Sequence, residues 1–160
     1  MSDEGAFPDF VKDLLAVEDK RRDSLEARGS SMITVSASLV TLLVALGAFV
    51  TDRRGFKLPD AARAPLSVAV VAFVVAAVLG IATYIPQPAR MTDPVALSGL
   101  LPKYWPKGDD FAQKKITATR LEQLATLQKA NDWKARALLA AVAAQLVAVG
   151  ALAWAVLGLL

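Results

Sequence analysis

Long charge-free stretches alternate with densely charged ones along this chain. Met32 to Thr51, Ala64 to Ile85 and Ala137 to Leu160 contain no Asp, Glu, Lys, Arg or His. Each stretch has roughly 20 residues or more, and at about 1.5 Å of rise per residue a helix of that length covers the ~30 Å hydrocarbon core of a bilayer. Three of them in 160 residues leave too little polar chain to shield all three from water. The pattern predicts an all-α integral membrane protein with three transmembrane helices, at 32–51, 64–85 and 137–160.

The polar stretches supply the connections. In residues 1–31, Phe7, Phe10, Val11, Leu14 and Leu25 recur at helical spacing, which predicts a cytoplasmic amphipathic helix. Pro8 suits its first turn, and Glu18 and Arg22 stand at the i,i+4 spacing of a surface ion pair. Gly29 costs such a helix only ~1 kcal/mol, so it is expected to run on into the first span. Residues 52–63, punctuated by Gly55 and Pro59, form a short outer loop, which makes the first two spans antiparallel neighbours. Pro86 and Pro88 stop the second span. An irregular cytoplasmic segment follows over 86–109. There Asp93-Pro94 can open a short helix, and Tyr104 and Trp105 stand beside Lys103 and Lys107 in a mixture suited to the headgroup level. Asp110 with Gln113 reads as a capping box for a cytoplasmic helix over 110–136. That helix meets no Gly or Pro before the third span. The reading is a single membrane domain, 1–160, with cytoplasmic extensions of helices 1 and 3 able to pack as a small bundle.

Positive charge orients the domain. Lys12, Lys20, Arg21, Arg22 and Arg28 precede the first span, and Arg90, Lys103, Lys107, Lys114, Lys115, Arg120, Lys129, Lys134 and Arg136 lie between the second and third. The outer loop has Arg53, Arg54, Lys57 and Arg63. This bias predicts a cell-membrane protein with its N-terminus cytoplasmic and its C-terminus outside.

Within the spans, small residues fall into stripes. Ser31, Thr34, Ser38, Thr41, Ala45 and Ala48 recur at alternating three- and four-residue steps. Such a stripe serves close helix packing, with hydroxyls bonding across or back to their own helix; it also serves as the lining of an oligomeric pore. The third span repeats the spacing with Ala137, Ala141, Ala144, Ala148, Ala151, Ala155 and Gly158, and the second has Ala76 and Gly80 four apart. A seven-residue repeat favours a left-handed crossing. Gln145 is the one amide in the spans, and is expected to clasp a neighbouring helix. Trp154 marks the outer interface. Three helices shield one another only partly, so the expected partners are the lipid bilayer and either further copies of the chain or another membrane protein.

Composition narrows the chemistry. Hydrophobic residues make up 55 % of the chain, with a mean hydropathy of +0.44. His and Cys are absent, which removes Ser-His-Asp and Cys-His catalysis and the usual zinc ligands. The carboxylates of Glu18, Asp19, Asp23 and Glu26 stand among cations, as on a solvated helix. No phosphate-binding glycine motif occurs, no charge within the spans suggests a proton relay, and no cofactor or catalytic residue is expected. A net charge of +3 is the basic bias of a membrane protein, not a nucleic-acid surface. The cations of Asn131-Asp132-Trp133-Lys134-Ala135-Arg136 stand where the third helix meets the bilayer and can contact anionic headgroups.

A charged helix leads through Leu25-Glu26-Ala27-Arg28-Gly29 into the first span, a short hairpin follows, and a long helix carries Asn131 to Arg136 into the third. This layout resembles small bacterial three-span membrane proteins of unassigned function. It is also similar in arrangement to the transmembrane effectors of Pycsar-type antiphage systems, which are thought to impair the host membrane when triggered by a cyclic nucleotide. The expected role is a non-enzymatic subunit or scaffold of a membrane assembly. The alternative is an oligomeric pore-forming or membrane-perturbing effector, and a membrane enzyme comes third.

Overall fold

The computed structural model of the chain describes residues 6–51, 59–86, 99 and 108–158. The readings made for residues 87–98 and 100–107, including Asp93-Pro94 and the Tyr104-Trp105 pair, fall outside the described residues, as do those for residues 52–58.

Three helices account for almost all of what is described: α1 (Ala6–Thr51), α2 (Asp60–Ala82) and α3 (Asp109–Leu157). All three are long and apolar enough to cross a membrane. With 46, 23 and 49 residues they are roughly 69, 35 and 73 Å long. α1 passes through Gly29-Ser30-Ser31 without a break.

The boundaries shift for local reasons. α2 starts at Asp60, four residues before the span expected from Ala64, so residues 60–63 belong to the helix and not to a loop. Pro59 precedes the helix in an extended conformation. Pro65 lies inside the helix and only leaves the Ala61 carbonyl without its usual donor. α2 ends at Ala82, and the next three residues form a tight turn. Thr83, Tyr84 and Ile85 donate from their backbone N–H groups to Gly80, Ile81 and Ala82, so the last carbonyls find i→i+3 partners. α3 starts at Asp109, after Gly108 at φ +86°. Asp110 therefore lies in the first helical turn and pairs with Lys114 at 3.0 Å.

The chain divides into two compact units, Met1–Ser24 with Pro86–Trp133, and Leu25–Ile85 with Lys134–Leu160. In the first unit the leading part of α1 runs parallel to the leading part of α3: Glu18 meets Asn131, and Arg21 meets Asp132. Val11, Thr117, Leu124, Leu127 and Asn131 are buried. Phe7 and Phe10, expected on the packed face, are 57 % and 58 % exposed. Phe10 is one residue, or about 100°, from the buried Val11.

In the second unit α2 is antiparallel to both of its neighbours. Gly29 of α1 lies against Gly80 and Thr83, and Ala61 at the start of α2 approaches Gly158 at the end of α3. The buried residues here are mostly small: Gly29, Ser36, Ala62, Ala69, Ala76, Gly80, Ala141, Ala148 and Ala155, with Phe73 the one large side chain wholly enclosed. The large apolar side chains point outward, among them Leu42, Val71, Val78, Ile81, Leu139, Leu146 and Trp154. Water-soluble packing puts Val, Leu and Ile inside. Here the order is reversed: the helices approach one another closely through small residues, and many bulky side chains are left outside.

Candidate functional site

The specific polar contacts among the described residues lie between helices. In the first unit they centre on Glu18. Asn131 is fully buried, and its Nδ2 donates to both the Glu18 backbone carbonyl (2.9 Å) and Glu18 Oε2 (2.8 Å). Arg21 Nη1 lies 3.5 Å from the same Oε2, and its Nη2 donates to Asp132 Oδ1 at 2.9 Å. The buried Asn131 Oδ1 accepts no hydrogen bond. A buried amide on a helix seam fixes register, because a shifted pairing would leave both amide hydrogens unbonded as well.

In the second unit, Lys134 Nζ donates to Glu26 Oε1 at 2.6 Å, with the lysine side chain 3 % exposed and the glutamate 26 %. A charge taken this far from water requires such a partner. Nearby, α1 and α2 touch through their backbones. A Cβ on Gly80 would stand 3.1 Å from the Gly29 carbonyl oxygen and 3.0 Å from Ile33 Cγ1, and a Cβ on Gly29 would overlap Thr83 Oγ1. Thr83 is itself buried, its hydroxyl donating to the Gly80 carbonyl at 2.7 Å.

The residues expected from sequence divide into two groups. Ala76 and Gly80 are buried in the second unit, as are Ala141, Ala148 and Ala155, while Ala137, Ala144, Ala151 and Gly158 are half-buried beside them. The α3 stripe thus faces the chain's own interior. Ser31, Thr34, Ser38, Thr41, Ala45 and Ala48 are all exposed, and none is enclosed by the described residues of its own chain. Three of their hydroxyls bond back along α1: Ser31 to Ala27, Thr34 to Ser30 and Thr41 to Ala37. The face of α1 that packs inside carries Leu25, Gly29 and Ser36. Ser36 is fully enclosed, and its hydroxyl has no hydrogen-bond partner among the described residues. Gln145 is half-buried and makes no side-chain hydrogen bond among the described residues.

Asn131, Lys134 with Glu26, and Gly29 are the contact residues that sequence reading left unassigned or assigned elsewhere. The available signal was the heptad frame of α3. Continued backward from Ala148 and Ala141 in alternating steps, it runs through Leu138, Lys134, Asn131, Leu127 and Leu124, all of them buried. Among the described residues no group of three His, Cys, Asp or Glu side chains is placed to hold a metal ion. No protein-family model, no curated protein and no solved structure matches the chain.

Proposed function

We propose that the chain is a three-span membrane protein whose role is to build an assembly, as a subunit or scaffold joined to further copies or to another membrane protein through α1. In this reading the second unit lies in lipid and the first in the cytoplasm, with the N-terminus inside and the C-terminus outside by the Lys/Arg bias. α2 matches one bilayer thickness, and the additional length of α1 and α3 forms the cytoplasmic extensions. This role needs no catalytic step.

The observation that carries the reading is the α1 stripe. Small residues on a membrane helix are places where another backbone can approach. The stripe of α3 is used inside the chain, whereas that of α1, from Ser31 to Ala48, is exposed along its length. A second, parallel copy or a partner helix is the occupant that fits.

The oligomeric state in lipid nanodiscs tests this. The chain has no cysteine, so Ser38→Cys introduces a single thiol on the exposed stripe. Cross-linking between copies is expected, and Thr41→Leu in that background is expected to reduce it at least tenfold by separating the helices. A monomer at every protein-to-lipid ratio, with no cross-link to another membrane protein in native membranes, would overturn the reading. Hydroxyls on the stripe favour one further form of it, a ring with this face turned inward. That form alone predicts an ion current across planar bilayers, abolished by Thr41→Leu.

A further inference from the structure

At the end of the second unit where α1 meets the last turn of α2, two arginines stand without an ion-pair partner among the described residues; Asp132, one turn before Arg136 on α3, is held by Arg21. The carboxylates described in this unit are Glu26 and Asp60, and Asp60 opens α2 at the opposite end. Glu26 is engaged by Lys134. Arg28 and Arg136 are both exposed, and neither has an ion-pair partner among the described residues.

Their placement follows from the Glu26–Lys134 contact. Each arginine stands two residues beyond one member of that pair, and two residues turn a helix by about 200°. The two arginines therefore leave their helices at one level, each on the side of its own helix turned away from the pair. Gly29, the next residue of α1, touches Thr83. That contact brings the exposed Tyr84 and Ile85 of α2 to the same level. Two arginines without an ion-pair partner among the described residues and an exposed tyrosine thus leave their helices in one narrow belt, at the edge of the outward-facing apolar surface.

We propose that Arg28 and Arg136 hold the phosphates of anionic phospholipid headgroups in the leaflet on this side. The inference rests on the membrane reading above and adds a lipid class and the residues that select it. The planar guanidinium matches phosphate oxygens in a bidentate manner. Lys134, which the sequence suggests as a headgroup contact, is excluded by its burial against Glu26.

The test uses the full chain in nanodiscs of phosphatidylcholine with a minor share of spin-labelled phosphatidylglycerol or spin-labelled phosphatidylcholine. The immobilised fraction of each label measures its association with the protein. The wild type is expected to prefer phosphatidylglycerol by about fivefold for each arginine site, as a basic residue near an anionic surface contributes. R28Q/R136Q is expected to lose the preference, and R28K/R136K to keep the part of it that is due to charge and not to bidentate geometry, which separates a lost charge from a lost fold. Inorganic phosphate at matched ionic strength is expected to do no more than chloride. Equal association of the two lipids with the wild type, or an unchanged preference in R28Q/R136Q, overturns the inference. Selective displacement by inorganic phosphate transfers the site to a soluble anion and overturns it as well. Failure of the wild type to enter nanodiscs of phosphatidylcholine alone is a separate result, and contradicts the membrane reading itself.

Discussion

Gly29→Leu is expected to separate α1 from α2 and to abolish the native packing of the second unit. An alanine already tests the geometry. Its Cβ would overlap Thr83 Oγ1 and stand 3.2 Å from the Gly80 carbonyl oxygen. The threonine can turn, but the carbonyl belongs to the α2 backbone and moves only with the helix. Replacing an isolated helical glycine by alanine ordinarily gains about 1 kcal/mol. Here the overpacking term, about 1–3 kcal/mol, opposes that gain and exceeds it. Gly29→Ala is therefore expected to lower stability, and Gly29→Leu to lower it by more than about 3 kcal/mol. Gly150→Ala is the control: nothing lies within 4 Å of a Cβ there, so only the helix-propensity term acts. Adding Thr83→Ala to Gly29→Ala is expected to recover part of the loss, but not the part due to the Gly80 carbonyl. Thermal unfolding in detergent, followed by circular dichroism, reads all four. A Gly29→Ala variant as stable as Gly150→Ala would show that the two backbones are not in contact.

The ion pair of Glu26 and Lys134 is expected to respond asymmetrically. Removing one member of a buried pair leaves the other uncompensated, at a cost of about 3–5 kcal/mol when both are enclosed. Lys134 is 3 % exposed and Glu26 is 26 %, so the two single variants leave different problems behind. Glu26→Leu abandons an ammonium in an enclosed site and is expected to cost about 3 kcal/mol. Lys134→Met leaves a carboxylate that can turn toward water, and is expected to cost about half as much. The double variant replaces a desolvated pair with apolar side chains and is expected to come within about 1 kcal/mol of the wild type. Equilibrium unfolding of the four proteins gives the coupling directly. Equal single losses that simply add in the double variant would contradict the pairing.

What could be read from sequence, and what could not, follows from the range over which each signal acts. Helices long and apolar enough to span a membrane were legible, because charge-free runs such as Ala64 to Ile85 are local features of composition. The α3 alanine stripe was visible for the same reason, as a period within one helix. Which stripe faces inward was not, since Ala141 and Ser38 are both small residues at seven-residue spacing and only the register between helices distinguishes them. Gly29 could be read only as a weak point in a helix, because the residues that require it, Gly80 and Thr83, are more than fifty positions away. Asn131 and Lys134 interrupt the apolar period they belong to, and in sequence they are indistinguishable from the charged surface around them. The exposure of Phe7 and Phe10 beside the buried Val11 has a related cause. Spacing groups residues that share a face, but it does not say how wide a strip of that face the neighbouring helix covers.

The claim on which the whole account depends is that the outward-facing valines and leucines of the second unit contact lipid. Single cysteines at Val71 and Leu146, both exposed apolar positions, and at the charged positions Lys20 and Lys129 measure this in intact membrane vesicles. The account predicts that a water-soluble maleimide leaves Val71→Cys and Leu146→Cys unlabelled until detergent unfolds the protein. It also predicts that the reagent reaches Lys20→Cys and Lys129→Cys from the cytoplasmic face alone. Ready labelling of Val71→Cys and Leu146→Cys without detergent would contradict it.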